Sequence, residues 1–177
     1  MDQFARGLLE EAKRFYEKAR DEHSDEGKQA YLHSALMLGF CSFEANINSI
    51  AADFLVRPEL TILDQSILGE REFRFADGEF VLVDGLKMYR LNERVEFIHR
   101  RFSGAPLDKT QAFWSQFKTA LSLRNELTHP KQQTVLKEEA VAQALESILA
   151  VLDAIYRAVY KKPYPARKRG LASKMTF

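Results

Sequence analysis

Residues 25–56 constrain the fold more than any other stretch of this chain. Leu36, Phe40, Phe43, Ile47, Ile50 and Phe54 recur every three or four residues, the spacing of one helical face. Apolar side chains on the flanking positions make the segment greasy nearly all round, which is the mark of a helix surrounded by others. Arg57-Pro58 ends it, because the residue before proline is disfavoured in helical geometry. A long central helix of this kind needs further helices to cover it. The neighbouring segments supply them.

Residues 2–22 place Phe4, Leu8, Phe15 and Ala19 among charges, an amphipathic pattern. A short helix is expected at about 59–68. The period then changes, since Phe73 and Phe75 alternate with charge, Asp77-Gly78 signals a turn, and a β-branched arm follows. That pattern predicts a β-hairpin over about 72–83. A helix over about 86–102 carries Met88, Leu91, Val95, Ile98 and Phe102 on one seam. On such a helix Lys87, Arg90, Arg94 and Arg101 fall within an arc of about 60° beside the seam. They form either a phosphate-tracking ridge for RNA or an ordinary solvated flank. The loop 103–109 leads to a helix of about 109–128, and Val141, Leu145, Ile148, Leu152, Ile155 and Val159 mark the last one. The expected fold class is therefore all-α, a bundle of about five helices with a small inserted hairpin.

The 177 residues suffice for one domain with its own core. Hydrophobic residues at 46% and charged residues at 29% are globular values and exclude a disordered chain. No apolar run reaches the roughly 18 residues of a transmembrane helix. The start, MDQFARGLLEEAK, carries acids within its apolar pattern, unlike a signal peptide. With one cysteine, Cys41, in an apolar helical context that suits core packing, a cytoplasmic protein is expected. From residue 157 onward there are seven bases, Arg157, Lys161, Lys162, Arg167, Lys168, Arg169 and Lys174, and no acid. The body before them holds all 25 acids and is net acidic. Such asymmetry suits either contact with a polyanion or a solubilising end. The expected division is a domain at 1–160 and a mobile basic tail at 161–177, because KKPYPARKRG has no core pattern.

The stretch LSLRNELTHPK, residues 121–131, carries the chemistry. Arg124 lands in the middle of the apolar arc formed by Phe113, Phe117, Ala120, Leu121 and Leu127, where a charge needs a partner or a groove. Asn125 and His129 share one edge, about 100° to 140° round from Arg124 on an ideal helix. Pro130 bends His129 out of regular geometry, and a symmetric dimer is a second way to bring the groups together. In the central helix Glu44 and Asn48 stand one turn apart, and Glu44 is the natural partner for Arg124. That pair is either a lock between two helices or part of a site.

Arg124-Asn125-Glu-Leu-Thr-His129 matches the R-x4-6-H signature of HEPN domains, and the SFEANIN helix resembles that family's layout over about residues 25–160. The resemblance implies an all-α homodimer whose two motifs meet at the interface in one composite site. It further implies a metal-independent endoribonuclease without cofactors, of the kind found in toxin–antitoxin and phage-defence systems, with a possible antitoxin or regulatory protein as partner. Carried over, Arg124 and His129 are catalytic, Asn125 supports them, and Glu44 and Asn48 stand behind. The alternative is a non-catalytic HEPN-like module that binds RNA, a nucleotide or a protein. The residue types suit RNA cleavage. The 2′-hydroxyl is a nucleophile already in the substrate, an imidazole moves protons at neutral pH, and a guanidinium forks onto phosphate oxygens. The expected product carries a 2′,3′-cyclic phosphate. The remaining histidines, His23, His33 and His99, lack metal-ligand spacing, so no metal site is expected.

Overall fold

The computed structural model describes residues 2–177. Among them the order is α1 (Asp2–Asp21), α2 (Asp25–Leu55), α3 (Ile62–Gly69), β1 (Arg71–Ala76), β2 (Glu79–Leu86), α4 (Leu91–Ser103), α5 (Ala112–Thr128) and α6 (Glu138–Tyr160), then a single 3-10 turn at Arg167–Arg169. The architecture is a helical bundle with a two-stranded antiparallel sheet.

α2 is the axis. All six residues of its predicted stripe are buried. Ser24 caps its start, the hydroxyl accepting from the Gly27 amide at 3.0 Å. On one side α1 covers it. There the buried stripe is Ala5, Leu9, Ala12, Tyr16 and Ala19, one step round from the expected one, and Phe4 is 65% exposed. Alanines seven apart let the two backbones approach closely, and the Ser42 hydroxyl reaches the Ala5 carbonyl at 2.7 Å. The bulky Phe15 is displaced to the edge, where it stacks on Tyr31.

On the other side α2 meets α6, whose Val141, Leu145, Ile148, Leu152 and Ile155 are fully buried. The two helices approach at Gly39, where a Cβ would lie 2.6 Å from Leu145 Cδ2 and 3.4 Å from Ile148 Cδ1. Leu145 itself has no exposure, so it has little room to retreat. Gly39→Val is therefore expected to destabilise the fold by about 1–3 kcal/mol, measured by urea unfolding. A neutral result there would mean that the two helices separate easily.

The hairpin turns at Asp77-Gly78, both at positive φ (52° and 88°), the geometry of a two-residue type I′ loop. It is longer than expected, since β2 runs to Leu86 and Leu86 pairs with Arg71 across a bulge. α4 consequently begins at Leu91 and not near Leu86, because residues 86–90 are spent on strand and connector. Cys41 is exposed on α2, contrary to the core position its apolar neighbours suggested. The residue lies open at the surface while its thiol is partly desolvated. This desolvation, followed by the nearby Glu44 carboxylate, pushes its pKa up, which disfavours the reactive thiolate.

Residues after Tyr160, expected to be mobile, fold back along α1. Tyr164 is 2% exposed, and its amide donates to the Asp153 carboxylate at 2.8 Å. Arg169 makes two bonds to Glu10, at 3.1 and 2.6 Å, and Phe177 sits edge-on to Phe15. Long-range polar bonds and a few scattered apolar contacts hold this segment, so no hydrophobic period announces it. Among the described residues no helix is long and apolar enough to cross a membrane.

Candidate functional site

α5 stops where the sequence says it should. Asn125 O still accepts from the His129 amide at 2.9 Å, but His129 itself has left helical geometry (φ −131°, ψ 62°) ahead of Pro130. His129 and Asn125 both line an open cleft of about 590 Å3, whose wall also includes Ser122, Glu126, Lys131 and Gln132. The loop that closes this cleft is pinned from a distance. The Gln29 side chain both donates to the Leu136 carbonyl and accepts from the Leu136 amide, each at 2.8 Å. Gln29 and Lys131 were not singled out from sequence. A lone glutamine that pairs with a backbone 107 positions away leaves no local signal.

Arg124 lies on another flank of the same helix. Its Nη2 donates to Glu44 Oε1 at 2.9 Å, and its guanidinium lies 5.3 Å from the centre of the Phe40 ring. It does not line the cleft that holds Asn125 and His129. The structure thus joins Arg124 with Glu44, and Asn125 with His129, without bringing the two pairs into one pocket. The Arg124–Glu44 contact is no buried lock, since the two side chains are 21% and 47% exposed. Such a pair is worth about 1 kcal/mol or less. The ring contact adds about 0.5–1 kcal/mol. Arg124→Ala should accordingly cost no more than about 2 kcal/mol in thermal or urea unfolding. A loss of several kcal/mol would mean that the pair is a structural clamp after all.

Asn48 serves a different arginine. Arg94 is 4% exposed, and its Nη1 meets both Asn48 Oδ1 and Glu70 Oε2 at 2.9 Å. Its Nη2 donates to the Leu68 carbonyl at 3.1 Å. Burial pushes its pKa down, with the Glu70 and Glu44 carboxylates opposing. The four expected ridge cations are therefore not a ridge. Lys87 and Arg90 precede α4, so a helical phase does not apply to them. Lys87 sits 4.5 Å from the Phe73 ring centre. Arg90 is far more open than Arg101 or Arg94, its side chain 83% exposed, with Glu93 at 3.9 Å. Arg101 Nε lies 3.3 Å from Asp64, and Arg94 faces inward. Among the described residues no three His, Cys, Asp or Glu side chains gather as a metal-ligand set.

Compared with protein-family models, curated proteins and solved structures, the chain finds no match in any of the three.

Proposed function

We propose that the chain is a metal-independent endoribonuclease of HEPN type, acting as a homodimer with a composite site. The observation that supports this best is the end of α5, where His129 leaves the helix beside Asn125 in an open cleft. In this reading the His129 imidazole takes the proton of an RNA 2′-hydroxyl as that oxygen attacks the adjacent phosphorus. The bond to the 5′-oxygen breaks and the leaving oxygen takes a proton from water, giving a 2′,3′-cyclic phosphate. Lys131, on the cleft wall, neutralises a neighbouring phosphate. Arg124 meets the developing charge on the reacting phosphate from the partner subunit, because within one chain it faces Glu44. Glu44 holds its fork in place in the free protein. A cytoplasmic toxin or phage-defence effector, restrained by an antitoxin or regulatory protein, is the setting that fits such an activity.

A second reading is favoured by one contact. Arg124 is already paired with Glu44 and stands outside the His129 cleft, as in a HEPN-like module that binds RNA or protein without cleaving. Incubation of the purified chain with total RNA and tRNA in excess EDTA separates the two. Cleavage that survives the chelator and leaves cyclic-phosphate ends is the expected result. Retention of intact RNA by a protein shown to be dimeric by light scattering would favour the binding module. A strict monomer in solution would remove the composite site.

A further inference from the structure

The open cleft at the end of α5 has a neighbour. A second pocket, of about 380 Å3, shares Glu126, Gln132 and Thr134 with it. The other wall of this pocket comes from α2. Gln29, His33 and Met37 stand four apart and so on one face of that helix. Gln29 pins the loop at Leu136, while His33 and Met37 line the pocket together with Leu127 and Pro130. The His33 Nε2 is enclosed and has no hydrogen-bond partner. What the imidazole can offer a ligand is therefore its flat aromatic surface, of the kind on which bases stack. Glu126 is the residue that an RNA site has to account for. It is exposed on the wall common to both pockets, and a carboxylate beside a cleft for phosphates repels them. Its place there makes sense if a group of the same ligand donates to it.

We propose that the second pocket takes a guanine base of the RNA, at a nucleotide next to the reacting phosphate, and that Glu126 selects it. The inference rests on reading the His129 cleft as the seat of that phosphate. A base is joined to its phosphate through one ribose, so a base pocket must adjoin the phosphate site, as this one does. Guanine alone of the four bases carries two neighbouring N–H donors on its pairing edge, at N1 and N2. They match the two oxygens of a carboxylate in a charge-assisted, two-pronged contact. Adenine and cytosine offer one amino group beside a ring acceptor, and uracil offers one N–H between two carbonyls. Each of these sets an acceptor against the carboxylate. Met37 and Leu127 are half-buried and, with the His33 ring, give the base apolar surface to cover.

The test measures binding to the full chain of dinucleotides in which the attacking 2′-hydroxyl is replaced by hydrogen, so that none can be cleaved. One base is held as uracil while the other is varied, first on the 5′ side of the phosphate and then on the 3′ side. On one of the two sides guanine is expected to bind about tenfold tighter than adenine. Glu126→Gln, an exposed change whose folding is checked by Tm, is expected to remove that preference, because the amide sets a donor against a donor. The other three bases should bind this variant as well as before or better, since a negative charge has gone. His33→Ala should weaken guanine binding about tenfold without changing the order of the bases, as the loss of a stacking surface does. Failure of guanine to rank first on either side would overturn the proposal, as would a guanine preference that survives Glu126→Gln. No measurable binding of any dinucleotide would overturn it too. The nuclease reading stands or falls separately. RNA cut without regard to base removes the guanine pocket and keeps the nuclease, whereas guanine-selective binding by a chain that cuts nothing does the reverse.

Discussion

Arg94→Ala is expected to lower stability by about 3–5 kcal/mol, because it strands a carboxylate and a carbonyl in the interior. The guanidinium reaches three acceptors at once: Asn48 on α2, the Leu68 carbonyl at the end of α3, and Glu70 at the start of the hairpin. Removing it takes the tie from between α4 and all three. Glu70 holds a left-handed backbone (φ 49°) just past α3, so its side chain is already fixed near the space Arg94 vacates. For a chain of 177 residues the loss corresponds to a fall in Tm of about 6–15 °C. Arg94→Met restores the volume and not the charge, so it should remain destabilised. Adding Glu70→Gln to Arg94→Met should recover part of the loss, since the stranded charge disappears. If Arg94→Ala instead left Tm unchanged and weakened RNA binding, the arginine would be a phosphate contact and the buried network would be incidental.

That arginine also marks where sequence reading stops. Much of what rests on a repeated spacing was legible. The six-residue stripe of α2, the α6 stripe, the Asp77-Gly78 turn and the proline after His129 each follow from local rules, and each stands where those rules place it. The Arg124–Glu44 pair was legible too, since a charge in an apolar arc and a carboxylate in a core helix each need a partner. Phase was harder. On α1 two faces were nearly equivalent, and the small alanines won over Phe4 because backbone approach outweighs side-chain size there. Arg94 was assigned to a ridge by assuming that one helix ran through residues 86–102. The strand consumed its start, and the partners that bury Arg94 come from two earlier helices, α2 and α3, and from the residue that follows α3. The segment after Tyr160 fails for a related reason. Glu10, Glu17 and Asp153 hold it through backbone amides, and a backbone amide carries no residue type to recognise.

His129→Ala is expected to lower RNA cleavage by about 10²–10⁴-fold, the range lost with a general acid or base. Its side chain is exposed beyond the end of α5, so stability should change by no more than about 0.5 kcal/mol. Activity lost without stability lost separates a chemical role from a structural one. Unchanged cleavage by the mutant would place the chemistry elsewhere or in a contaminant. The position of Arg124 makes a sharper test possible. Within one chain it faces Glu44, away from the His129 cleft, so the proposed site takes its arginine from the other subunit. Mixing inactive Arg124→Ala and His129→Ala proteins, with subunit exchange allowed, then produces mixed dimers. Each has one site with both groups and one site with neither. Random pairing makes half of the dimers mixed, so about a quarter of wild-type activity should return. Were both groups drawn from a single chain, no dimer in the mixture would hold a complete site and no activity would return. The first outcome requires the interface to join α5 ends across a two-fold axis. The second would require Arg124 to leave Glu44 and swing toward its own His129 when RNA binds.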